Sequence, residues 1–363
     1  MAIDFSPERW ERVKRNADLW WRGELGRPLI QLTVGGKDPG RPEPRLPARH
    51  FTAHYGLEAN PDDIVDRWDY DLSRTIFLGD AFPSVLANFG PGIASAFLGA
   101  RVECDASTVW FHPAEAVEAA DLRFTRDESN PWLLQIKRIY EAGVARWQGS
   151  VQMSMTDLGG ALDLLSVFRP GEQLLLDLIL APDAVKQRTW ELHEYWFDFF
   201  ETLNAVLHPV NPGYTCWAPI FSQTSYYMLQ CDFCYMIGPH HFDEFVKPEL
   251  AAACRRLDHP FYHLDGPGQL PHLDSLLEIE ELAGVQWVPG AGARGTTKWP
   301  EVYRKIRGAG KLIQLLPDGD PVRTLDIVAD QLGSADGIVI IGSVPPEQEQ
   351  QAREALARYG AEE

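Results

Sequence analysis

Phe261-Tyr262-His263-Leu264-Asp265-Gly266-Pro267-Gly268 reads as a buried strand stopped by a Gly-Pro-Gly turn. On a two-residue period Phe261, His263 and Asp265 point to one face, and Tyr262 and Leu264 to the other. An imidazole and a carboxylate therefore stand side by side at the carboxyl end of a strand, where they can bind a metal, polarise a water or move a proton. From there the chain alternates regularly: helix near 269–277, strand 284–289, helix 300–308, strand 311–316, helix 321–332, strand 337–342 and helix 347–358. Four consecutive βα units, counted from the strand at Phe261, imply a parallel sheet.

Working back toward the amino terminus, Ser6 and Pro7 suit the start of a helix, and Trp10, Val13, Ala17 and Trp20 recur at helical spacing until Gly26. A strand follows at Leu29 to Val34, then a Pro- and Gly-rich loop, and a helix opening at Pro61. Ile76 to Gly79 is a short apolar run that delivers Asp80 to what reads as the mouth of a long loop. The stretch from Arg101 to Phe111 is β-like, and helices are expected over 130–147 and 182–207. Thr156-Asp157-Leu158-Gly159-Gly160 reads as strand, tight turn, helix. Between 239 and 257 an amphipathic helix is expected, with a kink at Pro248.

Composition bounds the function. The chain has 363 residues with 45% hydrophobic, 11% aromatic and 23% charged side chains, the profile of a globular enzyme-sized protein. Its length admits one large barrel or two ordinary domains, and the lack of a low-complexity linker or fixed-period repeat favours the barrel. Its formal charge of -19 and the lack of a Lys/Arg cluster argue against nucleic acid or an anionic membrane as partner. No stretch approaches the ~20 apolar residues of a membrane span, and residues 1–10 carry Asp4, Glu8 and Arg9 without an apolar run, so a cytoplasmic protein with reduced cysteines is expected. Its partners are expected to be a small-molecule substrate and, through aromatic faces, further copies of itself.

In a barrel the chemistry lies at the strand carboxyl ends. The residues expected there are His263 and Asp265 as a metal or acid–base pair, Gln286 and Trp287, Asp318 and Ser343, joined by Asp80 and Asp157. Trp217 and Trp287 are candidate pocket walls. Arg294, inside Gly290-Ala291-Gly292-Ala293-Arg294-Gly295, suits a phosphate-cradling loop, although a plain βα loop reads the same way. Cys231 and Cys234 are better read as two buried thiols than as a zinc site, since no second pair accompanies them. His240, His241 and His272 read as surface or cap residues.

Several of these pieces together resemble one family. Gly79-Asp80-Ala81-Phe82-Pro83, Thr156-Asp157-Leu158-Gly159-Gly160, residues 231–248 and His263-Leu264-Asp265-Gly266 look like the uroporphyrinogen decarboxylase superfamily. That superfamily includes the decarboxylase and the zinc-dependent methyl-corrinoid methyltransferases. The resemblance runs from about residue 76 to 357 and implies a TIM barrel, so residues 1–363 are expected to form one α/β domain, a single (β/α)8 barrel with an N-terminal helical extension. It also implies catalytic roles for Asp80 and Asp232 beside Asp265.

The decarboxylase's arginine-rich motif is absent from Arg27-Pro28-Leu29-Ile30-Gln31-Leu32, which leaves little to hold a porphyrinogen's carboxylates. The methyltransferases bind zinc through a His-x-Cys pair and a later Cys, positions that fall here on His263, Asp265 and Ser343. Oxygen in place of sulfur suits zinc, manganese or iron. The resemblance thus implies a divalent-metal-dependent methyltransferase working with a corrinoid protein. The alternatives are a decarboxylase or lyase using Asp80 and Asp265 as acid and base, and a non-catalytic small-molecule or corrinoid-binding protein.

Overall fold

A computed structural model describes residues 3–105 and 107–362. Its strands are β1 (Leu29–Val34), β2 (Ile76–Gly79), β3 (Ser84–Leu86), β4 (Arg101–Cys104), β5 (Val109–His112), β6 (Gln152–Ser154), β7 (Tyr226–Gln230), β8 (His259–Asp265), β9 (Gly284–Val288), β10 (Leu312–Leu315) and β11 (Ile338–Val344). Seven of them form one sheet in the order β2-β1-β11-β10-β9-β8-β7. All neighbours in it are parallel except β2, which runs back along β1.

Helices Lys247–Arg256, Leu273–Leu277, Pro300–Gly308, Pro321–Leu332 and Glu349–Arg358 alternate with β7 to β11 as the sequence pattern requires. Their ends are written locally. Asp320 caps Pro321–Leu332 by accepting from the Val322 and Arg323 amides, and Gly333 ends it at φ 76°. Strands covered on both faces read as continuous apolar runs, and Ile338, Val339 and Ile340 of β11 are all fully buried.

The helix expected around Pro248 is interrupted. A π-helical turn, Phe242–Val246, precedes Lys247–Arg256, because the proline ring crowds the carbonyl four residues back and its nitrogen cannot donate there.

Strand pairing among the described residues does not run continuously round a closed barrel. β3 pairs with β6, and β4 with β5 as a hairpin. The link from β6 toward β7 is made by single bonds, Met155 N to Thr215 O at 2.9 Å and Leu158 N to Tyr227 Oη at 2.7 Å. The architecture is therefore a mainly parallel α/β sheet covered by helices, with two short strand pairs beside it.

The N-terminal helix, Pro7–Trp21, crosses the amino ends of the strands. Its indoles donate to carbonyls where strands begin: Trp10 to Ser150 at 3.1 Å, Trp20 to Ile338 at 3.1 Å and Trp21 to Phe221 at 2.9 Å. Trp21 also stacks on His259, the first residue of β8, at 4.3 Å. This end of the sheet is plugged. The carboxyl ends remain open.

Candidate metal centre

β8 presents His263 and Asp265 on one face, as strand alternation requires. A third residue joins them by register. Gln230, the last residue of β7, lies opposite His263, so the chain two residues on meets Asp265, and that residue is Asp232. The donor atoms of Asp232, His263 and Asp265 all lie within 4.8 Å of one another.

Neighbouring backbone sets this geometry. Asp232 opens the 3-10 turn Asp232–Met236, and the Asp232 and Phe233 amides donate to Asp163 at 3.0 and 2.9 Å. Asp163 sits in the first turn of helix Ala161–Phe168, whose start is pressed against β7. A Cβ on Gly160 would come within 2.0 Å of Gln230 O, so only glycine permits this approach. The Gly-Pro-Gly turn after β8 serves the same end: a Cβ on Gly268 would lie 2.7 Å from the Tyr235 ring, and Gly266 has φ +77°. Tyr235 can thus lie over the turn, and the Asp232 segment and the end of β8 stay together.

His263 is oriented from behind. Its Nδ1 is 2.5 Å from Gln286 Oε1, so with the amide oxygen as acceptor Nδ1–H donates and Nε2 keeps a free lone pair. The partner that fixes a ligating histidine's tautomer usually stands in this position. Trp217 meets the imidazole edge-to-face at 5.1 Å. Its own Nε1 is buried and has no hydrogen-bond partner among the described residues.

The electrostatics are those of crowded carboxylates. Burial, and then the charge of Asp265, raises the Asp232 pKa, against an opposing pull from His263. By surface area Asp232 is exposed, yet it faces a concavity with protein on most sides, and that crowding is what counts. Burial pushes Asp157 up to about 7, with Asp232 adding to it against amide bonds from Gly159 and Gly92. Asp163 is pushed up to about 7 by burial and then by Asp232. A divalent cation at the three donors would relieve this repulsion.

Beside the centre lies a cavity of about 490 Å³, walled by Trp110, Phe111, Leu164 and Phe233 and edged by Asp163 and Asp232. The β4–β5 hairpin forms its outer wall, and Trp110 is anchored there by a 2.7 Å bond from Nε1 to Asp105.

The other expected site residues go elsewhere. Asp80 is not at a loop mouth: β2 runs antiparallel, so its end returns to the amino end of β1. There Asp80, 2% exposed, accepts from Arg27 at 2.7 and 2.8 Å, Asn16 at 2.9 Å and the Ile30 amide at 3.0 Å. Trp287 is one residue along from Gln286 and therefore faces the other way, fully buried against Trp299 with centroids 5.1 Å apart. Arg294 lies on the surface, paired with Glu301 at 2.8 Å and stacked over Trp299 at 3.9 Å.

Ser343 bonds Thr33 at 2.8 Å and lines a separate cavity of about 180 Å³ with Gln31 and Ser84. Asp157 stands at the turn after β6, accepting from the Gly159 amide at 2.9 Å, near the centre but outside the donor group. Cys231 and Cys234 are free buried thiols, with burial pushing both pKa values up. Sequence reasoning missed Asp163. The signal available was an acidic residue three positions after Gly160, in the first turn of a helix.

No family model matches the sequence, and no curated protein matches it. Among solved structures, a methyltransferase from Methanosarcina mazei superposes with a TM-score of 0.59 at 12% identity, over 96% of this chain and 97% of that one. At that identity the likeness is one of fold. An enolase protein from environmental shotgun sequence of the Sargasso Sea overlaps with a TM-score of only 0.26, over 58% of this chain and 51% of that one, and bears on nothing here.

Proposed function

We propose that this chain is a divalent-metal-dependent enzyme of the methyltransferase kind, with the metal held by Asp232, His263 and Asp265. The observation that carries the reading is the convergence of those three donors at the open end of the sheet, with the lone pair of His263 Nε2 directed by Gln286. The fold shared with a methyltransferase over nearly the whole chain supports it. So does the placement of eight strands, β1, β3, β6 and β7 to β11, which we read as the staves of a (β/α)8 barrel within a single domain of the uroporphyrinogen decarboxylase superfamily.

The donor set fits zinc, manganese or iron: one imidazole and two carboxylates, without thiolate. In this reading Asp232 is the third ligand that sequence comparison would have sought at Ser343, which lies in a separate cavity. A bound ion supplies Lewis acidity to a substrate heteroatom. The chain's own residues do the rest. Trp217 offers an unpaired indole N–H beside His263, Asp163 holds the Asp232 turn, and the walls around Trp110 and Phe233 exclude water from a bound substrate. A corrinoid protein is the methyl-carrying partner that the sequence resemblance brings to this reading. The acid–base alternative built on Asp80 and Asp265 loses its geometry, because Asp80 is fully paired at the plugged end of the sheet.

The test is direct. Protein stripped with chelator and reloaded with zinc, manganese or iron should take up one ion per chain, and Asp232→Ala or His263→Ala should abolish uptake. Methyl transfer to cob(I)alamin from candidate donors should follow the metal content. Uptake that is absent, or indifferent to these substitutions, would sink the proposal.

A further inference from the structure

The cavity beside the metal centre has an unusual charge balance. Asp163 and Asp232 line it, and no lysine, arginine or histidine does so among the described residues. A second cavity, of about 460 Å³, shares Phe111, Ser166, Val167, Phe233 and Met236 with the first and adds Glu172, again with no basic side chain. The two form one trough with three acidic side chains, three aromatic rings (Trp110, Phe111 and Phe233) and no basic side chain among the described residues. The overall charge of -19 adds a field of the same sign.

An anionic substrate would have to enter this trough unpaired, at high desolvation cost. A neutral apolar substrate would be tolerated but would leave the carboxylates unused. A weakly hydrated organic cation uses both features, since aromatic faces attract it through their quadrupole and the carboxylates supply the counter-charge.

The metal does not reverse this. Asp232 and Asp265 together offset a divalent ion's charge, and Glu172 remains on the trough side. Trp110 is suitably held for the purpose: it is 53% exposed at the rim, yet its indole N–H is committed to Asp105, which fixes the plane of the ring.

We infer that the trough lined by Trp110, Phe111, Phe233 and Asp163 is a recognition site for a methylated ammonium group. As the substrate class of the enzyme, this rests on the function proposed above. As a binding site it stands by itself.

The experiment is calorimetric titration of the full-length chain, metal-loaded and metal-free, with choline and with its neutral carbon isostere, in which a tert-butyl group replaces trimethylammonium. Choline should bind at least about tenfold more tightly than the isostere in both forms. Trp110→Leu should weaken choline by about fivefold and leave the isostere nearly unaffected, with Trp110→Phe restoring most of the loss. Glu172→Gln, which removes a trough carboxylate away from the metal centre, should also narrow the preference. Equal affinity for choline and isostere, or tighter binding of a carboxylate of the same size, would overturn the inference. If the native chain takes up no metal yet still discriminates, the inference stands and the metal-dependent function falls.

Discussion

Gln286→Ala is the substitution that bears most directly on how the centre works. Gln286 is buried on β9 and its only described role is to hold His263, with Oε1 2.5 Å from Nδ1. Removing the amide leaves the proposed ligands Asp232, His263 and Asp265 intact. It frees the imidazole to exchange tautomers and to turn against Trp217, its other close neighbour at 5.1 Å. Losing the outer partner of a metal-bound histidine costs about 10–100-fold in metal affinity, or about 1.4–2.8 kcal/mol.

The contact here is a neutral hydrogen bond of the kind worth about 0.5–1.5 kcal/mol net, which places the expected loss near the lower end of that range. Competition between protein and a colorimetric chelator for zinc at neutral pH measures it. Gln286→Glu, whose carboxylate accepts the same proton more strongly, should bind at least as tightly as the native chain. Native affinity in Gln286→Ala, in protein that still loses its metal on His263→Ala, would refute the idea that this contact directs Nε2.

Two further outcomes are expected. Asp80→Ala should lower stability by about 3–5 kcal/mol, because it leaves Arg27 without its counter-charge and the Ile30 amide without its side-chain acceptor in a buried setting; with unfolding entropy of about 2.1 cal/mol/K per residue over 363 residues, the melting temperature should fall by roughly 4–7 °C, and metal binding lost at unchanged stability would place Asp80 at the centre after all. Asp157 and Asp163, both raised to about 7 from an ordinary 3.8, keep protons in the folded chain that the unfolded chain releases. Their contribution to stability is therefore full below about pH 4 and is lost as pH rises through about 7. Metal-free protein should melt at higher temperature at pH 5 than at pH 8, and a divalent cation should help more at pH 8. The opposite pH trend in these melts would contradict the assigned burial.

Much of this was legible in the sequence where local rules suffice. The βα alternation after Phe261, the shared face of His263 and Asp265, and the glycines at 159 and 160 all follow from periodicity and turn chemistry. What escaped depended on direction and register. Nothing in Ile76–Gly79 says that the strand runs backward, yet that alone moves Asp80 from the open end of the sheet to the plugged one. Gln286 and Trp287 are adjacent, and the alternation that separates them becomes decisive only once His263 is known to lie opposite Gln286. Asp232 and Asp163 meet through an interaction across 69 residues that no local pattern encodes.

The tryptophan-bearing N-terminal helix has a consequence for how the chain is made. Trp20 finds its carbonyl at Ile338, 318 positions later. The helix has earlier seats at Asp80, Ser150 and Phe221, but its set of anchors is complete only once β11 is in place. Long-range closure of this kind slows folding, and a chain cut short before Ile338 would lose the Trp20 anchor of this helix along with β11.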